Sequence, residues 1–262
     1  MNRFNHLYIY MLSGKVNHNS ILAYITDVID CSVECRGADA LYSGFSMREI
    51  AWMHAMCRVR DVFKATSNEA HAEEGDVEHE LSILRGYAKD QSSIYDGFML
   101  QSMYSSMIDP EESSLEHVHV ILTDRLIATY REEDMRYHLN TVVLGYPSIV
   151  SISGIVEAPA KPRAFYTLYY YYISQGITVN MDELKHLFRD AMLDHDDPRL
   201  TDAVKGYIMH AVFYSMLNDS PFCDEKGCML YNSHWQDEVI QAQVSGGMCE
   251  RHRAVLKEFN GK

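Results

Sequence analysis

The sequence predicts an α/β fold, and three observations predict it. The chain opens with a strand-like run at residues 7–12 (LYIYML), a helical spacing at 17–29 and a second β-favouring run at 31–35. Strand–helix–strand in that order suits a sheet layer with helices laid on it. The run HVHVILT at residues 117–123 is apolar and β-branched, which marks another buried strand. Residues 181–193 and 202–217 then repeat apolar positions at helical spacing, so the second half is mainly helical.

Each element has a local reason. Ser13 and Gly14 end the first strand. Ile21, Leu22, Ile25, Val28 and Ile29 form one face of the first helix, with Asn17 or Asn19 as its cap. Gly37 closes 31–35. Residues 47–64 are predicted as one helix that buries Ile50, Ala51, Met53, Cys57 and Val62. Residues 65–76 are polar and acidic and read as a loop; 77–88 read as a helix. Residues 91–112 give no single reading, because methionines and tyrosines sit among serines and Pro110 interrupts them.

Residues 141–144 and 149–156 are predicted as strands of a hairpin or meander around Gly145 and Pro147. EAPAKPR at 157–163 holds two prolines and reads as a loop. The tyrosine-rich 164–174 is predicted helical and ends before Gly176. Residues 181–193 place Leu184, Leu187, Phe188, Ala191 and Met192 on one face. An acidic break at 195–198 precedes 202–217, whose face carries Val204, Tyr207, Ile208, Ala211, Val212, Ser215 and Met216. No internal repeat is visible.

Composition narrows the class. The 262 residues are 47% hydrophobic, enough to bury a sizeable core, and the expectation is one domain over 1–262. The net charge of −14, with no basic stripe, argues against nucleic acid as a partner. No apolar run reaches the roughly 18 residues of a membrane span. The run at 7–12 is too short for a secretory leader and reads as a buried strand. Six cysteines in a chain this long, without such a leader, point to a reduced cytoplasmic compartment rather than a disulfide framework. The partner left open is a protein, unidentified by the sequence.

Three of the six cysteines crowd the C-terminal forty residues. Their spacing is Cys223-x4-Cys228-x20-Cys249-x2-His252. Two pairs of soft or borderline ligands of this kind satisfy a tetrahedral zinc with no open position, the mark of a structural site. Asp224, Gly227, Gly246 and Gly247 flank the pairs and allow tight turns. The competing reading is three ordinary buried cysteines beside a histidine; Asp224, Glu250 and His234 are possible substitutes for His252. The expectation is one structural zinc ion on Cys223, Cys228, Cys249 and His252, bracing a lobe over 218–262.

Those residues carry a resemblance. FCDEKGCML…GGMCERH resembles the C-terminal part of archaemetzincins, in which a zinc-protease helix, HExxHxxGxxH, runs directly into Cys-x4-Cys and later Cys-x2-Cys. The motif match covers the last quarter of the chain. Most of the chain is also similar to an uncharacterised archaeal family described as metallopeptidases, through TDRLIATYREEDMRYHLNTVVLGYPSIVSISGIVEAPAKPR and CMLYNSHWQDEVIQAQV. The resemblance implies a zincin-like, metzincin-type mixed sheet with helices and a zinc-braced C-terminal lobe. It also implies a departure. Aligned on Cys223, the catalytic histidine, glutamate, second and third histidines fall on Val212, Phe213, Met216 and Phe222. None of these can ligate zinc or act as a base, and no HExxH occurs elsewhere in the chain. The resemblance therefore implies a metallopeptidase homologue without the peptidase motif, acting as a binding or assembly module.

The alternative is a metallohydrolase rebuilt around His210, His234 and Glu238. Its plainer counterpart has His210 packing beside Tyr207 and Tyr214, with His234 and Trp235 supporting the lobe. His117 and His119 share one face of a strand, and read as sheet-surface histidines near a loop. His79–Glu80 starts a zinc-protease motif but Ile83 stands where the second histidine belongs. Asp124 and Arg125, at a strand end, could line a site, since strand carboxyl ends often do; a surface ion pair fits them equally. A small-molecule α/β enzyme that uses such a pocket is the third reading. The TLYYYY run offers aromatic surface, and no GxSxG nucleophile elbow is present.

Overall fold

The computed structural model describes residues 2–66, 72–88 and 93–261. Its elements in chain order are β1 (His6–Met11), α1 (His18–Val28), β2 (Ser32–Arg36), α2 (Ala38–Leu41), α3 (Met47–Met56), α4 (Glu74–Leu84), β3 (Ile94–Asp96) and α5 (Gly97–Ser105). β4 (His117–Thr123), β5 (Leu126–Arg131), β6 (Arg136–Asn140), β7 (Val142–Val143), β8 (Ser148–Ser151) and α6 (Ile152–Glu157) follow. The last third holds α7 (Arg163–Ser174), α8 (Met181–Leu187), α9 (Leu200–Leu217), α10 (Gln236–Val239) and α11 (Glu250–Phe259). A π-helical turn, Ile240–Val244, continues α10.

The main sheet has five strands in the order β2-β1-β4-β8-β7. The first four are parallel, and β7 closes one edge antiparallel to β8. A second sheet, β3-β5-β6, pairs β3 parallel and β6 antiparallel to β5. The expected mixed α/β architecture is therefore present. Alternation along β1 and β4 divides the core in two, because successive strand side chains point to opposite faces. Leu7, Ile9, Met11, Val118, Val120 and Leu122 join α1, α6 and α9 in one cluster. Tyr8, Tyr10 and Ile121 join residues of α2 and α5 on the other face.

Local rules explain the elements that were legible. Asn17 accepts a hydrogen bond from Ser20 N and caps α1, and Ser46 with Glu49 forms a capping box on α3. α3 stops at Met56 rather than reaching Lys64 as expected. The chain after it is drawn into pairing with β3: Asp96 N donates to Cys57 O, and Val59 N to Ile94 O. Residues 152–157 are a helix rather than the expected strand. Ser151 Oγ accepts from Gly154 N and starts that helix, and Asn140 O lies 2.3 Å from where a Gly154 Cβ would stand. Only glycine tolerates that approach. β5 and β6, which the sequence did not separate from their loops, form the hairpin of the second sheet. The ambiguous stretch begins with β3 and α5, where Asp96 caps α5 through Phe98 N and Met99 N; its first residues, 91–92, and the middle of the 65–76 loop lie outside the described residues. Among the described residues no helix is long and apolar enough to cross a membrane.

His117 and His119 do share one face, but only His117 is near the surface. His119 is buried, with Nδ1 3.2 Å from Tyr10 Oη and Nε2 3.0 Å from the Glu112 carbonyl. The segment that carries Glu112 folds over the strand, held by an Arg36–Glu112 ion pair at 2.6 Å. Burial pushes the His119 imidazole down to about 4, against the backbone and charge of Glu112. In the unfolded chain it titrates near its ordinary value, so the unfolded state takes up the proton first as pH falls. Stability is expected to fall on the order of 3 kcal/mol between about pH 6.5 and about pH 4 from this group. Denaturant midpoints measured across that range should show the slope, and His119→Gln should make it shallower, the buried His54 and His210 supplying the part that remains.

Candidate metal centre

Three segments bring the four C-terminal ligand residues together. The first is a loop in which Cys223 N donates to Leu230 O at 2.8 Å and Cys228 N to Glu225 O at 2.9 Å, so the x4 spacing folds back on itself. The second is residues 246–247, clamped to that loop by Met229 N to Gly247 O at 2.9 Å and Gly247 N to Gly227 O at 3.3 Å. The third is the first turn of α11. Cys249 is its N-cap and His252 lies three residues on, so both face one side.

The ligand atoms of Cys223, Cys228, Cys249 and His252 all lie within 4.8 Å of one another, and all four residues are buried. Cys223 Sγ stands 3.9 Å from Cys249 Sγ. His252 Nδ1 stands 3.5 Å from Cys228 Sγ and 3.1 Å from Cys249 Sγ. A tetrahedral zinc with Zn–S of about 2.3 Å and Zn–N of about 2.0 Å needs ligand atoms roughly 3.5–3.8 Å apart. The donor set and its spacing are compatible with zinc. Glu225 N also points at Cys223 Sγ from 3.5 Å, a backbone donor of the kind that steadies a thiolate. Burial first, and then the thiols of Cys228 and Cys249, push the Cys223 thiol up to about 12. A thiol held protonated in this way ionises readily only beside a cation. His252 Nε2 has no hydrogen-bond partner among the described residues, and the Phe213 ring stands perpendicular to the imidazole at 5.3 Å.

Two glutamines that the sequence reading passed over support this lobe. Gln243, in the π-helical turn, donates from Nε2 to Met229 O and Tyr231 O, and so pins the chain just after Cys228. Gln236 donates to Ile155 O and Val156 O and accepts from Leu193 N. A buried glutamine spends its amide on loop carbonyls, and nothing in spacing announces which ones. Gly246 is a close-approach position, since a Cβ there would meet Ala242 O at 2.2 Å and Gly227 O at 2.8 Å.

The other sequence candidates are placed differently. Among the described residues, the Cys/His set is the one group of three or more His, Cys, Asp or Glu ligand atoms that converges. His210, His234 and Glu238 form no such group. His210 is fully buried, with Nδ1 on the Gly206 carbonyl at 2.9 Å and its ring against Tyr207 and Phe222. Burial pushes its imidazole down to about 4. His234 is exposed, and its backbone N donates to Glu238 Oε2 at 3.0 Å. Val212, Phe213 and Met216 are wholly buried in α9, and Phe222 is part-exposed. It lines a groove of about 440 Å³ beside the edge strand β7, together with Thr141–Leu144 and His234. Asp124 and Arg125 do not pair with each other: Ser13 donates to Asp124, and Arg125 reaches Glu80. Glu80, the second residue of a broken motif in sequence, is a fully buried ion-pair partner.

A mixed α/β fold with a buried three-cysteine, one-histidine cluster near its C-terminus defines the class as an α/β protein with a donor set compatible with a metal ion. The family described as "Probable metallopeptidase family (DUF6775)" matches residues 1–259, and the chain belongs to that family. No curated protein matches the sequence. Among solved structures it is similar to an archaemetzincin from Methanopyrus kandleri, at 12% identity and a TM-score of 0.42 over 99% of this chain and 97% of that one. It is also similar to a zinc-dependent peptidase from Methanocorpusculum labreanum, at 14% identity and a TM-score of 0.41 over 96% and 98% of the two chains.

Two substitutions test the arrangement. Gly246→Ala should lower the melting temperature, because its methyl must displace the backbone that clamps Cys228. His210→Leu should shift stability by less than about 1 kcal/mol, since it removes one internal bond and one unpartnered buried nitrogen together. A far larger change in metal content than in stability would mark His210 as a ligand instead.

Proposed function

We propose that this protein is a non-catalytic member of its family, a binding or assembly module whose single zincin-like domain, 1–262, is braced at 218–262 by one structural zinc. Cys223, Cys228, Cys249 and His252 hold the ion. The observation that carries the reading is the burial of Val212, Phe213 and Met216 in α9. Those positions, where the resemblance puts a catalytic histidine, glutamate and second histidine, are packed with apolar side chains. Four protein ligands leave the braced zinc no open position for water. A hydrolytic zinc needs that position and a nearby base.

Zinc at this site supplies cross-linking rather than chemistry. It joins the 223–228 loop to α11, and Asn260 at the end of α11 in turn bonds Val28 O and Asp30 N beside α1. The partner we assign is a protein. The groove beside β7 offers an edge strand to which an extended segment could add. Three thiolate ligands suit the reduced cytoplasm of the cell, here taken to be archaeal.

Elemental analysis of the purified protein should give one zinc per chain. Cys228→Ala should lose that zinc and melt at lower temperature, and chelation should destabilise the protein without removing any peptidase activity. Two zincs per chain, one exchangeable and tracking hydrolysis of a peptide library, would overturn the proposal. So would a Cys228→Ala protein that keeps both its zinc and its melting temperature.

A further inference from the structure

A second site lies away from the cysteine lobe. The chain runs from β1 to its neighbour β2 on one side, and later returns at β4 on the other, so the strand order reverses between β1 and β4. Open parallel sheets hold ligands outside the carboxyl ends of their strands at such a point, because the two following loops diverge there. A cavity of about 480 Å³ opens at this place. Gly14 and Lys15 line it from the loop after β1, and Asp124 and Arg125 from the loop after β4. The segment inserted between β2 and β4 supplies an apolar wall that includes Tyr42, Leu84 and Tyr95. The volume is that of a small-molecule site.

The polar groups are unevenly satisfied. Arg125 has a side chain only 10% exposed, and one guanidinium nitrogen donates to the fully buried Glu80 at 2.6 Å. Tyr95 Oη donates to the other Glu80 oxygen at 2.6 Å, and its ring lies 4.6 Å from the Arg125 carbon. Each Glu80 oxygen thus has one partner, while the rest of the Arg125 fork has no hydrogen-bond partner among the described residues. A guanidinium has five donors in a planar fork that matches a carboxylate. On the acidic side, Asp124 accepts from Ser13 Oγ at 2.7 Å through Oδ1 and has Lys15 at 3.9 Å. Its Oδ2 has no partner among the described residues. Asp196, exposed, adds a second carboxylate to the lining.

A plain anion would meet Asp124 and Asp196, and a plain cation would meet Arg125 and Lys15. A molecule with both charges meets neither penalty, and the wall asks for an apolar body. We propose that this cavity binds a small zwitterion with an apolar body, an apolar amino acid or dipeptide, its carboxylate on Arg125 and its ammonium against Asp124 and Asp196. The surrounding groups are tuned as functional sites often are. Burial drives His54 well below its usual range and Tyr42 well above, and Tyr95 and the Glu80 carboxylate keep Arg125 charged against its burial.

Calorimetric titration of the full chain with L-leucine and with L-leucyl-L-leucine tests this and separates the two sources. N-acetyl-L-leucine and L-leucinamide each lack one charge. The expected result is saturable one-to-one binding of at least one zwitterion, weakened on the order of tenfold or more for both blocked forms. Arg125→Lys keeps the charge beside Glu80 but removes the fork, and should weaken binding to a similar degree. Ala38→Trp fills the cavity from an exposed position and should abolish binding with the melting temperature kept, so the test stands even if Arg125→Lys misfolds. No binding of either zwitterion at ~10 mM, equal affinity for the blocked forms, or binding undiminished by Ala38→Trp would overturn the proposal.

Discussion

Helix α9 is buried on almost every side between the sheet and the C-terminal lobe. Its residues from Leu200 to Phe213 are nearly all inaccessible, including polar Thr201 and His210. One face meets the strands of the main sheet, another meets α1, and Gly206 lies against Gln243 of the π-helical turn, 3.0 Å from where a Cβ would stand. A helix with apolar residues all round can exist in water only if everything else covers it. The order of the sheet, the position of α1 and the placement of the cysteine lobe all satisfy that demand.

The lobe covers α9 with little secondary structure of its own. Apart from α11 it consists of short loops and a four-residue helix with a π-helical turn, which carry few backbone bonds. Their order comes from the convergence of Cys223, Cys228, Cys249 and His252, and from glutamine amides spent on loop carbonyls. Phe213 touches His252 from α9, so the packing of the helix and the geometry of the ligand cluster are one problem.

On the opposite side of the sheet the segment between β2 and β4 builds a second environment. Its helices α3 and α4 pack together and bury Glu80 where Arg125 can reach it. A buried carboxylate without that partner would be severely destabilising, so the ion pair fixes how the insert sits on the strand ends. The cavity exists because the insert stands off from the loops after β1 and β4 at this place.

The sequence by itself determined the strand at His117–Thr123, the caps of α1 and α3, the helical second half, and the four metal-ligand candidates. All of these depend on residues close in the chain, where period, capping and ligand spacing act. It did not determine where α3 ends, because β3, more than thirty residues later, competes for its backbone groups. Nor did it reveal that residues 152–157 coil into a helix, because apolar β-branched residues serve a buried strand and a buried helix alike. His79–Glu80 looked like half of a motif, and Asp124–Arg125 equally like the lining of a site and like a surface pair. Only the tertiary structure decided that Glu80 and Arg125 belong to each other, since a buried charge takes its meaning from whatever the fold sets beside it.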